Sequence, residues 1–157
     1  MVKNLKNKSL KAYPELHLNN QLCFSLYSLS RKVVQNYTPL LTPLDLTYPQ
    51  YLVMLVMWQA LEGGQVGLTV SQLTEKLNLD TGTVTPLLKR MEAKSLVSRK
   101  RSEQDERIVL VSLTSSGIAL RESAKHIPQA LLCQGDADAN KVIQLRETLT
   151  SMLHALS

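Results

Sequence analysis

The residues best suited to chemistry in this 157-residue sequence are its two cysteines, Cys23 and Cys133. They lie 110 positions apart and neither belongs to a CxxC pair, so neither a disulfide scaffold nor a structural zinc site is indicated. In a reducing cytoplasm both thiols stay free, and a thiol that is partly ionised at neutral pH attacks peroxides. The first chemistry to consider is therefore thiol oxidation, although most free cysteines only pack in a core.

Cys23 lies near the start of a predicted amphipathic helix that runs from Leu18 to about Tyr37. If Asn19 or Asn20 caps this helix, Cys23 falls in its first turn, where the positive end of the helix favours the thiolate. Tyr27 lies one turn further on the same face. We expect Pro39 and Pro43 to end the helix.

The net charge of +5 is unevenly distributed. Residues 1–11 carry +4 and are predicted to be a flexible tail, residues 86–101 carry +5, and the rest of the chain carries −4. A basic stripe on an acidic body is typical of nucleic-acid binding, although a solvated charged surface gives the same pattern.

The basic stripe falls on a predicted helix-turn-helix. The sequence Thr69-Val-Ser-Gln72 is a capping box for a helix that ends near Asn78, and Asp80 caps a second helix, Thr81 to about Lys94. Between Leu96 and Leu113 the period changes to that of a hairpin with a charged tip. A hairpin directly after a helix-turn-helix predicts a winged arrangement.

The remaining segments are predicted to be helical. Tyr51–Leu61 is apolar nearly all round and should be buried, and Ser115–His126 is capped by Thr114 and ended by Pro128. A heptad pattern marks the last segment with Val142, Leu145, Leu149, Met152 and Leu156. The expected fold is mainly α with a small β-hairpin wing, as an obligate homodimer joined through its N- and C-terminal helices.

The second helix of the motif has two distinct faces. Val84, Leu87, Leu88 and Met91 should pack inward, so the opposite face would enter a DNA major groove. The predicted DNA-binding residues of this helix are Gly82, Thr83, Thr85, Pro86, Lys89 and Arg90. In the hairpin they are Arg99, Arg101, Asp105 and Arg107, with Arg107 in the minor groove and Asp105 holding the turn.

These segments resemble a known family. Residues 79–92, Leu96-Val-Ser-Arg-Lys-Arg101 and Asp105-Glu-Arg107 are similar to the MarR family of winged-helix repressors. The blocks Asn20-Gln-Leu-Cys-Phe-Ser-Leu-Tyr27 and Leu46-Thr-Tyr-Pro-Gln-Tyr-Leu52 look like its organic hydroperoxide resistance regulator (OhrR) branch. The resemblance covers about residues 18–128.

The resemblance implies a dimeric repressor that binds inverted-repeat operator DNA and releases it when organic hydroperoxide oxidises a cysteine. That cysteine corresponds to Cys23, and the family's two thiol-supporting tyrosines correspond to Tyr37 and Tyr48. Because Tyr37 lies about 21 Å further along a continuous helix, it would have to come from the partner subunit. The resemblance also implies that Cys133 resolves the oxidised thiol as an intersubunit disulfide. A mixed disulfide with a small thiol stays open.

Two positions depart from the family pattern. Ser95 replaces a glycine after the second helix, so a left-handed backbone there costs more. Val84 replaces a leucine, which is a mild change in packing.

Other functions fit the residues less well. A cysteine peroxidase needs an activating Arg or His, but Arg31 lies two turns beyond Cys23. A metal sensor has no ligand pair at zinc spacing among its candidate ligands His17, Cys23, His126, Cys133 and His154. The main alternative is a MarR-type repressor relieved by a small aromatic ligand, with Cys23 structural. We expect no enzyme activity, cofactor or metal.

The predicted organisation divides the chain into four parts. They are a flexible basic tail (1–16), a dimerisation and redox helix (17–45), the winged helix-turn-helix (46–113) and C-terminal dimerisation helices (114–157). We expect no signal peptide, because no apolar run follows the N-terminal lysines, and the 11 apolar residues of Tyr51–Leu61 are too few to cross a bilayer, which takes about 20. A cytoplasmic protein without membrane contact is expected.

Overall fold

The computed structural model describes residues 11–102, 105, 107–133 and 138–156. Two compact units are present, one up to Gln35 and one from Asn36. Most of the predicted flexible tail, residues 1–10, lies outside the described residues. No described helix is both long and apolar enough to cross a membrane.

The first unit begins with two short 3-10 helices, Pro14–Leu16 and Leu18–Asn20. They are followed by α1, Leu22–Leu41, whose last residues from Asn36 onward belong to the second unit. The prediction that α1 begins at Leu18 was therefore wrong. Asn20 does not cap it, because its side-chain amide donates 2.7 Å to the carbonyl of Pro14. Gln21 similarly donates 2.6 Å to the carbonyl of Glu15. These bonds hold residues 14–21 in tight turns before the α-helix starts.

The end of α1 also differs from the prediction. The helix continues through Pro39 to Leu41, whereas the sequence predicted an end near Tyr37. Leu41 is buried, so the last turn of the helix packs into the core of the second unit. That burial offsets the hydrogen bond that proline cannot make.

The core of the second unit forms around α2, Tyr48–Glu62. This helix starts one turn earlier than predicted, because the Gln50 side chain accepts a hydrogen bond from the Thr47 backbone N–H at 3.0 Å. It is buried along most of its length, as expected for a helix that is apolar nearly all round. Trp58 donates from Nε1 to the carbonyl of Gly117 at 2.9 Å, which ties α2 to the helix after the wing.

The predicted helix-turn-helix is confirmed as α3, Val70–Leu77, and α4, Thr81–Ala93. The capping box is present, with the Thr69 and Gln72 side chains each accepting from the other's backbone N–H at 3.1 and 2.8 Å. Asn78 takes a left-handed conformation that ends α3. Asp80 then caps α4, accepting from the Thr83 N–H at 2.9 Å.

The wing is β2, Val97–Arg101, paired antiparallel with β3, Val109–Leu113. A third strand that was not predicted, β1 or Gly67–Thr69, pairs with the other edge of β3, giving the order β1-β3-β2. It is only three residues long and its partner lies more than 40 positions away. Because the two strands are so far apart in the sequence, no local periodicity of residue types predicts that they pair.

Three helices follow the wing: α5, Ser115–Ala124; α6, Ile127–Cys133; and α7, Ala139–Leu156. Thr114 caps α5 as predicted, accepting from the Gly117 N–H at 3.0 Å. Pro128 does not stop the helical structure as expected. It is the second residue of α6, where a missing N–H costs nothing. The predicted heptad segment is one helix, α7, and none of its residues is buried.

Candidate DNA-binding surface and thiol site

The outer face of α4 is the first part of the candidate site. Val84, Leu87, Leu88 and Met91 are buried as predicted, which turns Lys89 and Arg90 to solvent. Gly82, Thr83 and Pro86 are exposed beside them, and Thr85 is half-buried. The predicted contact residues therefore share one surface, except that Thr85 lies at its edge.

The start of α4 is fixed by Asp80. Its carboxylate accepts from the Thr83 hydroxyl at 2.7 Å as well as from the Thr83 N–H. Those two hydrogen bonds lower the pKa of Asp80, so the cap stays ionised at neutral pH. A Cβ on Gly82 would lie 2.9 Å from Asp80 Oδ1, so glycine keeps this turn compact. Because the Thr83 hydroxyl already donates its proton to Asp80, it can only accept a hydrogen bond from a ligand.

The wing tip is held by Asp105, as the sequence predicted. Asp105 Oδ1 accepts from the Arg107 N–H at 2.9 Å, and its backbone carbonyl accepts from the Ile108 N–H at 2.9 Å. Arg107 and Arg101 are exposed at the tip and at the end of β2. The Asp105 turn thus presents the Arg107 cation, and Arg101 adds a second cation at the end of the strand.

Arg99 is placed differently from the other predicted DNA contacts. Its guanidinium donates from Nε and Nη2 to Glu92 Oε2 on α4, at 2.8 and 2.6 Å. Its backbone N–H donates to Glu92 Oε1 at 3.0 Å. These bonds lower the pKa of Glu92. This partner was not predicted, although Glu92 is the single acid among the basic residues 86–101.

A cavity of 490 Å³ lies between the start of α3, α4 and the wing. Leu88, Ile108 and Val109 give it apolar walls, and Arg99 and Arg107 lie at its border. Its size and mixed lining suit a small organic molecule.

Tyr37 and Tyr48, which the resemblance assigned to thiol support, lie together in the second unit. Their ring centroids are 4.9 Å apart, and Tyr51 joins them at 5.8 Å from Tyr37. Burial raises the pKa of Tyr37 and of Tyr48, and burial with the two neighbouring phenols raises the pKa of Tyr51 to about 12. All three phenols are therefore protonated at neutral pH and able to donate hydrogen bonds.

Cys23 belongs to the first unit, as the second residue of α1, and is exposed. This is the first turn of the helix, as expected. Tyr27 lies one turn further, where its hydroxyl accepts from Arg31 Nη1 at 3.0 Å and its ring lies 5.6 Å from the guanidinium. Cys133 is the last residue of α6. Within the described residues no three His, Cys, Asp or Glu side chains are grouped as metal ligands.

A helix-turn-helix followed by a two-stranded wing, with cations on both, defines the winged-helix class. The sequence pattern of the transcriptional regulator SarA/Rot family matches residues 35–123, so the chain belongs to this MarR-type family of transcriptional regulators. The fold class and the family expected from the sequence are confirmed.

One relative indicates the branch of the family to which this chain is similar. The chain is 45% identical over 144 residues to the organic hydroperoxide resistance transcriptional regulator of Bacillus subtilis, covering 92% of this chain and 95% of that protein. This likeness confirms the resemblance to the OhrR branch.

Solved structures of two proteins, AbfR and MarR, are similar to this fold. Reduced AbfR bound to DNA has a TM-score of 0.72 and 32% identity, over 88% of this chain and 94% of that one. Its disulfide-formed state has a TM-score of 0.60, 31% identity and coverage of 88% and 89%. A mutant of Escherichia coli MarR complexed with operator DNA has a TM-score of 0.70 and 27% identity, over 84% and 93%.

Proposed function

We propose that this protein is a peroxide-sensing transcriptional repressor, a homodimer that binds operator DNA when Cys23 is reduced and releases it when organic hydroperoxide oxidises Cys23. The observation that carries the proposal is an exposed thiol in the first turn of α1, in a chain whose α4 and wing present cations to solvent. The 45% identity to a regulator of organic hydroperoxide resistance supports the same oxidant. The protein acts in the cytoplasm, where its DNA is, and is not an enzyme.

The outer face of α4 enters the major groove and the wing tip reaches the adjacent minor groove. Lys89 and Arg90 contact phosphates or guanine edges, Thr85 and Pro86 contact bases, and Arg107 contacts the minor groove. An operator with two half-sites requires two recognition helices about 34–36 Å apart, and therefore a dimer that binds an inverted repeat.

Exposed apolar side chains support a dimer. In the first unit Leu16, Leu18, Leu22 and Phe24 are 76%, 56%, 58% and 39% exposed. In α7 Leu145, Leu153 and Leu156 are 45%, 54% and 84% exposed. So much apolar surface is unfavourable in water, and a second copy of the chain would bury it.

The redox step proceeds in two reactions. The Cys23 thiolate attacks the terminal oxygen of a hydroperoxide, the O–O bond breaks, the alkoxide takes a proton and leaves as an alcohol, and Cys23 becomes a sulfenic acid. The Cys133 thiolate of the partner subunit then attacks the sulfenic sulfur, the S–O bond breaks, and the disulfide forms. Hydroxide leaves and takes a proton to become water. A small thiol would take the same place in a mixed disulfide.

The tyrosine cluster suits the first of these reactions. Protonated phenols at Tyr37 and Tyr48 of the partner subunit would donate hydrogen bonds to the Cys23 thiolate or to the departing oxygen. A disulfide brings its two Cα atoms to about 4.4–6.8 Å, so forming it would move α1 and the C-terminal helices and change the spacing of the recognition helices.

The test compares wild type, Cys23→Ser and Cys133→Ser after one equivalent of cumene hydroperoxide. Non-reducing mass analysis is combined with binding to an inverted-repeat duplex that the reduced protein selects from random DNA. A covalent dimer in wild type alone, with loss of binding, supports the proposal. When a small thiol is added with the peroxide, wild type that gains the mass of that thiol on Cys23 and loses binding without a covalent dimer supports the mixed disulfide instead. Full binding by oxidised wild type contradicts the redox function.

A second candidate function is release by a small aromatic ligand, and the 490 Å³ cavity favours it. A ligand there would lie against both α4 and the wing, with Arg107 available to an anionic group, since Arg99 is already paired with Glu92. Titrating salicylate and cumene hydroperoxide separately against the reduced complex distinguishes the two functions. Release by salicylate alone, with no effect of peroxide, contradicts the redox function.

A further inference from the structure

The C-terminal end of α4 is tied to the turn that joins α1 to α2. Lys94, the residue that caps α4, donates from Nζ to the backbone carbonyl of Asp45 at 2.5 Å and lies 3.0 Å from its carboxylate. The two residues are 49 positions apart. Neither the core nor the proposed DNA contacts account for this pair.

The turn that Lys94 contacts is itself fixed in place. Asp45 has a left-handed backbone with φ of 51°, and its N–H donates to the carbonyl of Thr42 at 3.0 Å. The next residue, Leu46, donates to the carbonyl of Leu41 at 3.2 Å, and both leucines are buried. The Asp45 carbonyl is therefore a rigid acceptor for the Lys94 ammonium.

Between the start of α2 and this side of α4 the packing is open. A groove of 660 Å³ separates them, lined among others by Thr47, Pro49, Arg90 and Lys94. Lys94 lines this groove, and its side chain is only 31% exposed where it bonds to Asp45. Without the contact between Lys94 and Asp45, fewer interactions oppose a tilt of the end of α4 relative to α2.

We infer that Lys94 is a positioning residue for operator binding, which sets the angle of α4 by holding its end against the Asp45 turn. The same turn lies between Tyr37 and Tyr48, so the tie also connects the recognition helix to the tyrosine pair. The inference rests on the proposed operator binding. It does not depend on the peroxide response.

The decisive variant is Asp45→Lys, which removes the carboxylate and repels Lys94 from the backbone carbonyl that it also contacts, while no residue of α4 is replaced. Long-range electrostatics predicts tighter DNA binding, because the protein gains two positive charges. Loss of the tie predicts weaker binding, by up to about fivefold, the range expected for one surface ion pair. The two explanations predict opposite signs.

Glu122→Lys is the matched control. Glu122 is also in an exposed ion pair, 2.6 Å from Lys125 at the end of α5, and its replacement adds the same two charges away from α4. Operator binding by Glu122→Lys should be equal to wild type or tighter. Urea denaturation of both variants establishes that each is folded at the temperature of the binding assay.

A second variant, Lys94→Met, separates positioning from direct DNA contact. A lysine that binds a phosphate lowers the slope of log K against log salt by about 1 when it is removed, whereas a positioning residue leaves the slope unchanged. We expect Lys94→Met to bind the selected duplex more weakly, with the wild-type slope.

Two results overturn the inference: Asp45→Lys that binds at least as tightly as Glu122→Lys, or Lys94→Met with a slope reduced by about 1. A reduced wild-type protein that binds no duplex contradicts the proposed function instead. Binding by wild type without any response to peroxide contradicts only the redox function, and the comparison of Asp45→Lys with Glu122→Lys remains valid.

Discussion

The guanidinium of Arg99 on β2 and the carboxylate of Glu92 on α4 form a two-hydrogen-bond ion pair, at 2.8 and 2.6 Å to one oxygen. The pair joins the recognition helix to the wing, and the Arg99 side chain is only 24% exposed. The ion pair therefore holds α4 and β2 together in the absence of DNA.

Arg99→Gln should therefore weaken operator binding through the wing, without removing a phosphate contact. We expect lower affinity with an unchanged salt slope, and the same for Glu92→Gln, since each breaks the same pair. Fluorescence anisotropy with the selected duplex, over a salt range of about 50–200 mM, measures both quantities.

Arg107→Ala is the contrasting variant. Arg107 is exposed at the wing tip, so its loss should lower the salt slope by about 1 if it contacts a phosphate. A slope that falls equally in Arg99→Gln would show that Arg99 contacts DNA directly, as the sequence predicted.

Ser95→Gly is expected to stabilise the protein. Ser95 has φ of 56°, the left-handed conformation that the departure from the family's glycine implied. Glycine avoids the Cβ strain but adds entropy to the unfolded chain, so the net gain should be about 0.5–1 kcal/mol. Urea denaturation at neutral pH measures this gain in the free energy of unfolding.

The matched control is Ser98→Gly on the extended backbone of β2, which should lower the free energy of unfolding. Equal effects of the two variants would contradict the assignment to backbone strain.

The helix-turn-helix was predictable because its signals are local. The capping box at Thr69 and the cap at Asp80 fixed the helix starts, and the spacing of Val84 and Leu88 fixed the buried face. The Asp105 turn was predictable for the same reason. Its side chain bonds a backbone N–H two residues away.

The missed features depend on contacts that are distant in sequence. Pro39 lies inside α1 because the turn after it is anchored by buried Leu41, and β1 exists only because β3 passes beside it. The pairing of Lys94 with Asp45 and the addition of Tyr51 to the tyrosine cluster likewise require the tertiary fold. No pattern along the chain marks these residues as partners.

Gly117→Ala should be strongly destabilising. A Cβ at this position would lie 2.1 Å from the backbone carbonyl oxygen of Leu96, and a backbone atom in the core cannot move aside at low cost. We expect a loss of about 3 kcal/mol or more in the free energy of unfolding. The change should also alter the fluorescence of Trp58, whose indole N–H donates to the Gly117 carbonyl.

Gly63→Ala provides the control for Gly117→Ala. A Cβ on Gly63 would have its nearest neighbour at 3.4 Å, an ordinary contact, and the residue ends α2 without a left-handed backbone. Its unfolding free energy should stay within about 1 kcal/mol of wild type. A Gly117→Ala protein as stable as Gly63→Ala would mean that α5 can shift away from Leu96.

Stability should fall at high pH because of Tyr51. Its side chain is 1% exposed, and burial followed by the neighbouring phenols Tyr37 and Tyr48 raises its pKa from the ordinary value of 10 to about 12. The folded state therefore holds the phenol proton more tightly than the unfolded state does. The resulting stabilisation is complete below pH 10 and is lost as the pH rises from about 10 to about 12. Two pKa units correspond to a loss on the order of 2–3 kcal/mol. Urea denaturation from about pH 8 to about pH 11.5 should show this slope in wild type and in Tyr13→Phe, which changes an exposed tyrosine. The slope should be smaller in Tyr51→Phe, where Tyr37 and Tyr48, whose pKa values are also raised, still contribute. An equal slope in all three proteins would assign the alkaline loss to other groups.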